Sequence, residues 1–138
     1  MSVRANGRKG KGVVQRPERW SLRRPGSGLV VAPDGRWLAA ALAGGTARLW
    51  EAGAGQESRA LVLGTRAVRA LAFSPDGRLL AAGDAEGRAR LWSIPEGEPQ
   101  VEWQEAGDAF YRMAFSPQGR WLAAGLRSGT RWLGEVQP

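Results

Sequence analysis

The sequence predicts an all-β protein made of three copies of one four-stranded antiparallel unit. An eleven-residue segment recurs at a fixed interval, Pro-Asp-Gly clusters stand at the same place inside it, and the apolar stretches between turns have strand length. Phe73–Gly83 (FSPDGRLLAAG) returns as Phe115–Gly125 (FSPQGRWLAAG) with nine of eleven positions identical. A third copy, VAPDGRWLAAA at Val31–Ala41, stands 42 residues before the first of these. Pro33, Pro75 and Pro117 keep that spacing, as do Trp50 and Trp92. A period of this length is the mark of a repeat architecture.

Each element of the unit can be justified in the middle copy. The first strand runs from about Val68 to Phe73, and Pro75-Asp76-Gly77 closes a hairpin after it: Pro presets φ, Asp bonds its own backbone and Gly takes positive φ. The second strand, Arg78 to Gly83, is almost continuously apolar with small alanines, which suits a strand covered on both faces by stacked sheets. A turn at Asp84-Ala85-Glu86-Gly87 leads to a third strand, Arg88 to Trp92, where polar and apolar residues alternate. The segment Pro95 to Pro99 breaks the chain, and Gln100 to Gln104 forms a fourth, more polar strand, whose charge protects the sheet edge.

Composition narrows the function classes. With 138 residues, 43% hydrophobic and 24% charged, the chain is the size and composition of one globular domain. It has no cysteine and no histidine, which removes disulfides, thiolate zinc sites and the Cys-His and Ser-His-Asp nucleophile systems. No enzyme, no metal and no cofactor is expected. Residues 1–22 contain no apolar signal region, and no apolar run of about 18 residues could span a bilayer, so a soluble cytoplasmic protein without membrane partners is expected. The net charge of +7 has one source. Residues 1–24 carry eight basic side chains against the single acid Glu18, while the twelve arginines and twelve acids of the remainder cancel.

Phe-Ser-Pro-Asp-Gly-Arg, then Leu-Ala-Ala-Gly, then Arg-Leu-Trp at 42-residue spacing resembles the WD-repeat (WD40) β-propeller family over about residues 27–134. The resemblance implies four-stranded blades around a channel, used as a rigid platform for proteins, peptides or nucleic acids. Three repeats are expected, at about 25–66, 67–108 and 109–138, behind a basic, flexible arm at 1–24. The departures are specific. Gly64-Thr65 stands where the family has Gly-His, Glu51 and Ser93 replace the Asp after the third-strand Trp, and Gly134 takes the Trp position of the last copy with Trp132 two residues before it. The family's buried Asp-His-Ser-Trp network is therefore expected to be missing, leaving blade rigidity to apolar packing.

Propellers close with about four to eight blades, so three make an incomplete or partial ring. Glu135–Pro138 are too few for a fourth strand, whereas Glu18-Arg19-Trp20-Ser21-Leu22 is a short amphipathic stretch before the first repeat. Two readings stand side by side: a homodimer joined head to tail into a six-bladed ring, each chain donating the strand at 18–22 to the other's last blade, or a truncated or degenerate fragment of a longer propeller.

The candidate site residues are weighed against simpler roles. Asp34 and Asp76 recur in identical turns, but Gln118 replaces them in the third copy, which points to turn formation and not to a cation needing several converging oxygens. Trp50, Trp92, Trp37 and Trp121 hold repeat positions and read as packing. Arg66, Arg69, Phe110, Tyr111 and Arg112 break the repeat near the entry to the first strand, and Arg with aromatic residues is the mixture that binding hot spots favour. They are the candidate contacts for a protein partner. Arg4, Arg8, Lys9 and Lys11 are the candidates for a nucleic-acid contact through the arm, since such arms bind phosphate backbones electrostatically. Asp84, Glu86 and Asp108 are the only acids that could meet on one rim. The leading expectation is a non-catalytic scaffold for protein–protein interaction, and the alternative is a nucleic-acid-associated protein.

Overall fold

The computed structural model describes residues 2–4, 19–21, 28–42, 44–51, 58–94, 96–105 and 107–136. The elements among them are all strands: β1 (Ser2–Arg4), β2 (Arg19–Ser21), β3 (Leu29–Val31), β4 (Trp37–Leu42), β5 (Thr46–Glu51), β6 (Ser58–Val62), β7 (Val68–Phe73), β8 (Leu79–Asp84), β9 (Arg88–Ser93), β10 (Pro99–Gln104), β11 (Phe110–Phe115), β12 (Trp121–Leu126) and β13 (Arg131–Glu135). β3 to β6 form one four-stranded sheet and β7 to β10 another. β11 to β13 form a three-stranded sheet, and β1 pairs with β2 apart from these. Pairing is antiparallel throughout, as the short connections within the three larger sheets require. No helix of the described residues is long and apolar enough to cross a membrane.

The hairpin between first and second strands is the same in each copy. Gly35, Gly77 and Gly119 have φ of 76°, 73° and 77°, a conformation that a Cβ resists. Asp34 and Asp76 each accept a backbone N–H two residues on, from Arg36 and Arg78, at 3.0 Å. These are the local carboxylate turns that the sequence predicts. In the middle copy Ser74 Oγ donates to Asp76 Oδ1 at 2.6 Å and accepts the Leu79 N–H at 3.0 Å. The Ser74 hydroxyl, aided by the Arg78 N–H, holds the Asp76 carboxyl below its ordinary value.

The small residues of the second strands explain how the sheets stack. Ala39, Ala41 and Ala47 of the first sheet lie against Leu71, Leu80 and Trp92 of the second. One sheet offers a shallow trough and the next fills it with large side chains, which gives dense packing without voids. The same arrangement recurs between the second and third sheets, where Ala81 and Leu91 meet Leu122, and Ala89 meets Phe110 and Ala124. β4 and β8 are covered on both faces as expected. β12 is not: Leu122 and Ala124 are buried while Ala123, on the other face, is exposed. The face of the first sheet turned away from the second carries Leu38, Ala40 and Trp50, and these too are buried.

Two expectations about the departures need correction. Blade rigidity does not rest on apolar packing alone, because Asp84 is fully buried and its Oδ1 accepts the N–H groups of Glu86 and Arg88, both at 2.9 Å. The Arg88 guanidinium lies over Gly64, where a Cβ would come within 2.6 Å of Nη1, and donates to the Leu63 carbonyl at 3.3 Å. A cation thus occupies ground beside Asp84 Oδ2, an oxygen that has no hydrogen-bond partner of its own. Gly134 is not a simple loss either. It faces Leu122 as Trp92 faces Leu80, and the Trp132 ring lies across it, so close that a Cβ at Gly134 would meet Trp132 Cη2 at 2.5 Å. Trp132 supplies from two residues away the indole that the repeat position lacks.

Candidate functional site

The first strands β3, β7 and β11 lie side by side, with β7 between the other two. In β7 the register with β8 slips between Val68 and Ala70, so Arg69 is an extra residue. In β11 the register with β12 slips between Phe110 and Arg112, and Tyr111 is the extra residue. Arg69 and Tyr111 are equivalent by the 42-residue period. A bulge of this kind turns one side chain out of the ladder; both side chains are exposed, Tyr111 by 64%.

The bulges bring three candidates together. Arg69, Tyr111 and Arg112 line one cavity of about 580 Å³, with Leu29, Val30 and Met113 among its apolar walls. On its other side Arg69 and Tyr111 border a smaller hollow of about 310 Å³ that Arg127 also lines. Among the described residues Arg69, Arg112 and Arg127 make no ion pair with a carboxylate. The site is therefore a rim of guanidinium groups around one phenol, of which Arg127 lies in the field of the Asp108 carboxylate and Arg69 and Arg112 face an apolar floor, able to take carboxylates or other anions.

The remaining candidates lie elsewhere. Arg66 pairs with Glu86 at 3.4 Å on the surface. Phe110 is fully buried, edge-on to Trp132 with ring centroids 5.4 Å apart, so its ring belongs to the core and not to a contact surface. Its period partner Val68 is buried too, a signal that the repeat itself carried. Arg127 was missed from sequence, although it replaces Ala85 at the equivalent position. The three acids do not converge: Asp84 caps its own turn, Glu86 holds Arg66, and Asp108 accepts from Ser128. The Ser128 hydroxyl is the main cause that lowers the Asp108 carboxyl. Among the described residues no group of three acids could hold a metal ion.

Of the arm candidates, Arg4 stands in β1 directly opposite Arg19 in β2. Arg8, Lys9 and Lys11 lie outside the described residues. The strand expected at 18–22 is present as Arg19–Ser21, and it pairs with β1 rather than with a blade edge.

Antiparallel sheets stacked face to face, with their first strands gathered side by side, define the class: the chain is an incomplete β-propeller. Residues 27–51 and 59–93 match the family described as WD domain, G-beta repeat. Over those residues the chain carries WD repeats. The solved β-propeller domain of Cps50 (Swd1) from Myceliophteria thermophila superposes on all of this chain with a TM-score of 0.75 at 17% identity. At that identity the likeness is one of fold, and this chain spans 38% of the length of that one. No curated protein matches the chain.

Proposed function

We propose that the chain is a non-catalytic scaffold that holds a protein partner against the rim formed by Arg69, Tyr111 and Arg112. WD repeats support an interaction scaffold in general. The observation that carries the particular surface is the pair of equivalent bulges that turn Arg69 and Tyr111 outward beside a cavity. Arg and Tyr are the residue types through which interfaces concentrate their binding energy, and unpaired guanidinium groups favour a partner with carboxylates. The test compares proteins that co-purify with the tagged chain and with the triple variant Arg69→Glu, Tyr111→Ala, Arg112→Glu, after circular dichroism has established that both fold. Loss of the co-purifying proteins in the variant is expected; an unchanged set overturns the rim as the contact surface.

A second reading rests on the charge of residues 1–24, which holds the whole net excess. In it the arm contacts a nucleic-acid backbone. Binding of a single-stranded 30-nucleotide RNA should then fall steeply with salt and disappear when residues 1–24 are deleted; retention after the deletion removes this reading. A head-to-tail homodimer finds less support, because the Leu38, Ala40 and Trp50 face that a second copy would have to meet is already buried in the single chain.

A further inference from the structure

The outer face of the third sheet repeats a surface that the first two sheets keep filled. In the second sheet Gly83 lies in a trough with Ala81 and Ala89, and the third sheet fills it: a Cβ at Gly83 would lie 2.6 Å from Phe110 Cβ and 2.8 Å from Met113 Cε. Gly125 stands at the same place in the third sheet, and a Cβ there would meet nothing within 4 Å. Beside it Ala114 and Ala123 are exposed. Leu133 is 61% exposed, whereas its equivalent Leu91 is 1% exposed. The hollow over these residues holds about 680 Å³.

Two further features say what fits there. The outer backbone edge of β13 carries no strand among the described residues, where β5 carries β6 and β9 carries β10. Arg112 and Arg131 replace Ala70 and Ala89 of the second sheet; both are exposed and neither forms an ion pair among the described residues. The second sheet supplies the register. In it Val101 stands opposite Leu91 and Trp103 opposite Ala89, and both fourth-strand side chains pack toward the third sheet.

From this we infer that the third sheet takes an extended strand of another protein, added antiparallel along β13, with an apolar side chain opposite Leu133 and a carboxylate opposite Arg131. Unpaired backbone N–H and C=O groups bind the added strand, and alternate side chains select it. An acid two residues after the apolar position answers the guanidinium groups of Arg112 and Arg131. A second copy of this chain answers them poorly: its own short strand, Arg19–Ser21, is engaged with β1 and lies in a basic segment, which sets like charge against like. The inference shares the scaffold reading but uses a different surface, with only Arg112 and Met113 bordering both.

The test uses fluorescence anisotropy on the 138-residue chain with the labelled peptide Thr-Val-Thr-Val-Thr-Glu-Thr and its counterpart with Lys in place of Glu. The Glu peptide should bind at least tenfold more tightly than the Lys peptide. Arg131→Glu should invert that preference, and Leu133→Thr should weaken both, while Arg69→Glu with Tyr111→Ala leaves binding unchanged. The inference is overturned if neither peptide binds, if Arg131→Glu leaves the preference as it was, or if sedimentation shows a dimer whose Leu133→Asp variant becomes monomeric. Binding that depends instead on Arg69 and Tyr111 sinks this surface and leaves the rim standing.

Discussion

Trp50 and Trp92 face Leu38 and Leu80 across their sheets and are buried, Trp92 to 2% exposure. Trp92 lies in the cluster that joins the first and second sheets, so its truncation opens a cavity where two sheets meet. Trp92→Ala should cost about 3–5 kcal/mol, read from urea midpoints; a midpoint that scarcely moves would place the indole on the surface. Asp84 carries the polar part of the same sheet. Asp84→Ala leaves two backbone N–H groups without their acceptor and should cost about 1–3 kcal/mol. Asp84→Asn keeps Oδ1 and should cost less, a ranking that thermal unfolding of the two variants checks. At Asp76 the effect depends on pH. Its folded value lies below 3.8, so it contributes stability that is present above about pH 3.8 and is lost as pH falls through the folded value. The stability difference between wild type and Asp76→Asn should therefore shrink in acid titrations below that pH, and a constant difference would contradict the hydrogen bond from Ser74.

Among the elements, β13 departs furthest from its repeat equivalents. The register places Gly134 opposite Leu122 and Trp132 opposite Ala124, so the large residue has moved to the place that Arg90 holds in β9. Trp132 stays in the core through edge-on contact with Phe110 and with Trp103, whose ring centroid is 5.0 Å away. Gly134→Trp, which restores the repeat residue, should destabilise by about 1–3 kcal/mol through overpacking. Adding Trp132→Arg to it should recover most of that loss. If the single variant is as stable as wild type in urea, the two rings do not compete for one space. The element boundaries were largely legible beforehand: β7 falls on Val68–Phe73 as expected, and β8 and β9 extend past their expected ends to Asp84 and Ser93. The bulges were not legible, because nothing in the composition of Arg69 or Tyr111 distinguishes an extra residue from a paired one; only the register does.

In the whole molecule, cover falls away at the last sheet of the stack. β8 is buried on both faces, whereas the outer face of β12 is open. Hydrogen exchange should follow that order, with the amides of β8 protected by at least tenfold more than those of β12, since local opening costs less where fewer apolar contacts are lost. Equal protection would mean that the open face is covered in solution. The stack itself could be read from the 42-residue period and from the alanines that make room for a neighbouring sheet. The site could be read only in part. Arg69, Tyr111 and Arg112 stood out as breaks in the repeat, but Phe110 broke it for a different reason, as the large partner of Gly83 in the next sheet. The signal that separates the two causes is the apolar period partner: Phe110 answers to Val68, which is buried too, whereas Tyr111 answers to the exposed Arg69.

The Trp132 and Gly134 pair also constrains how such a chain can change over generations. An indole at both 132 and 134 would set two rings in one volume, so what either position tolerates depends on the residue at the other.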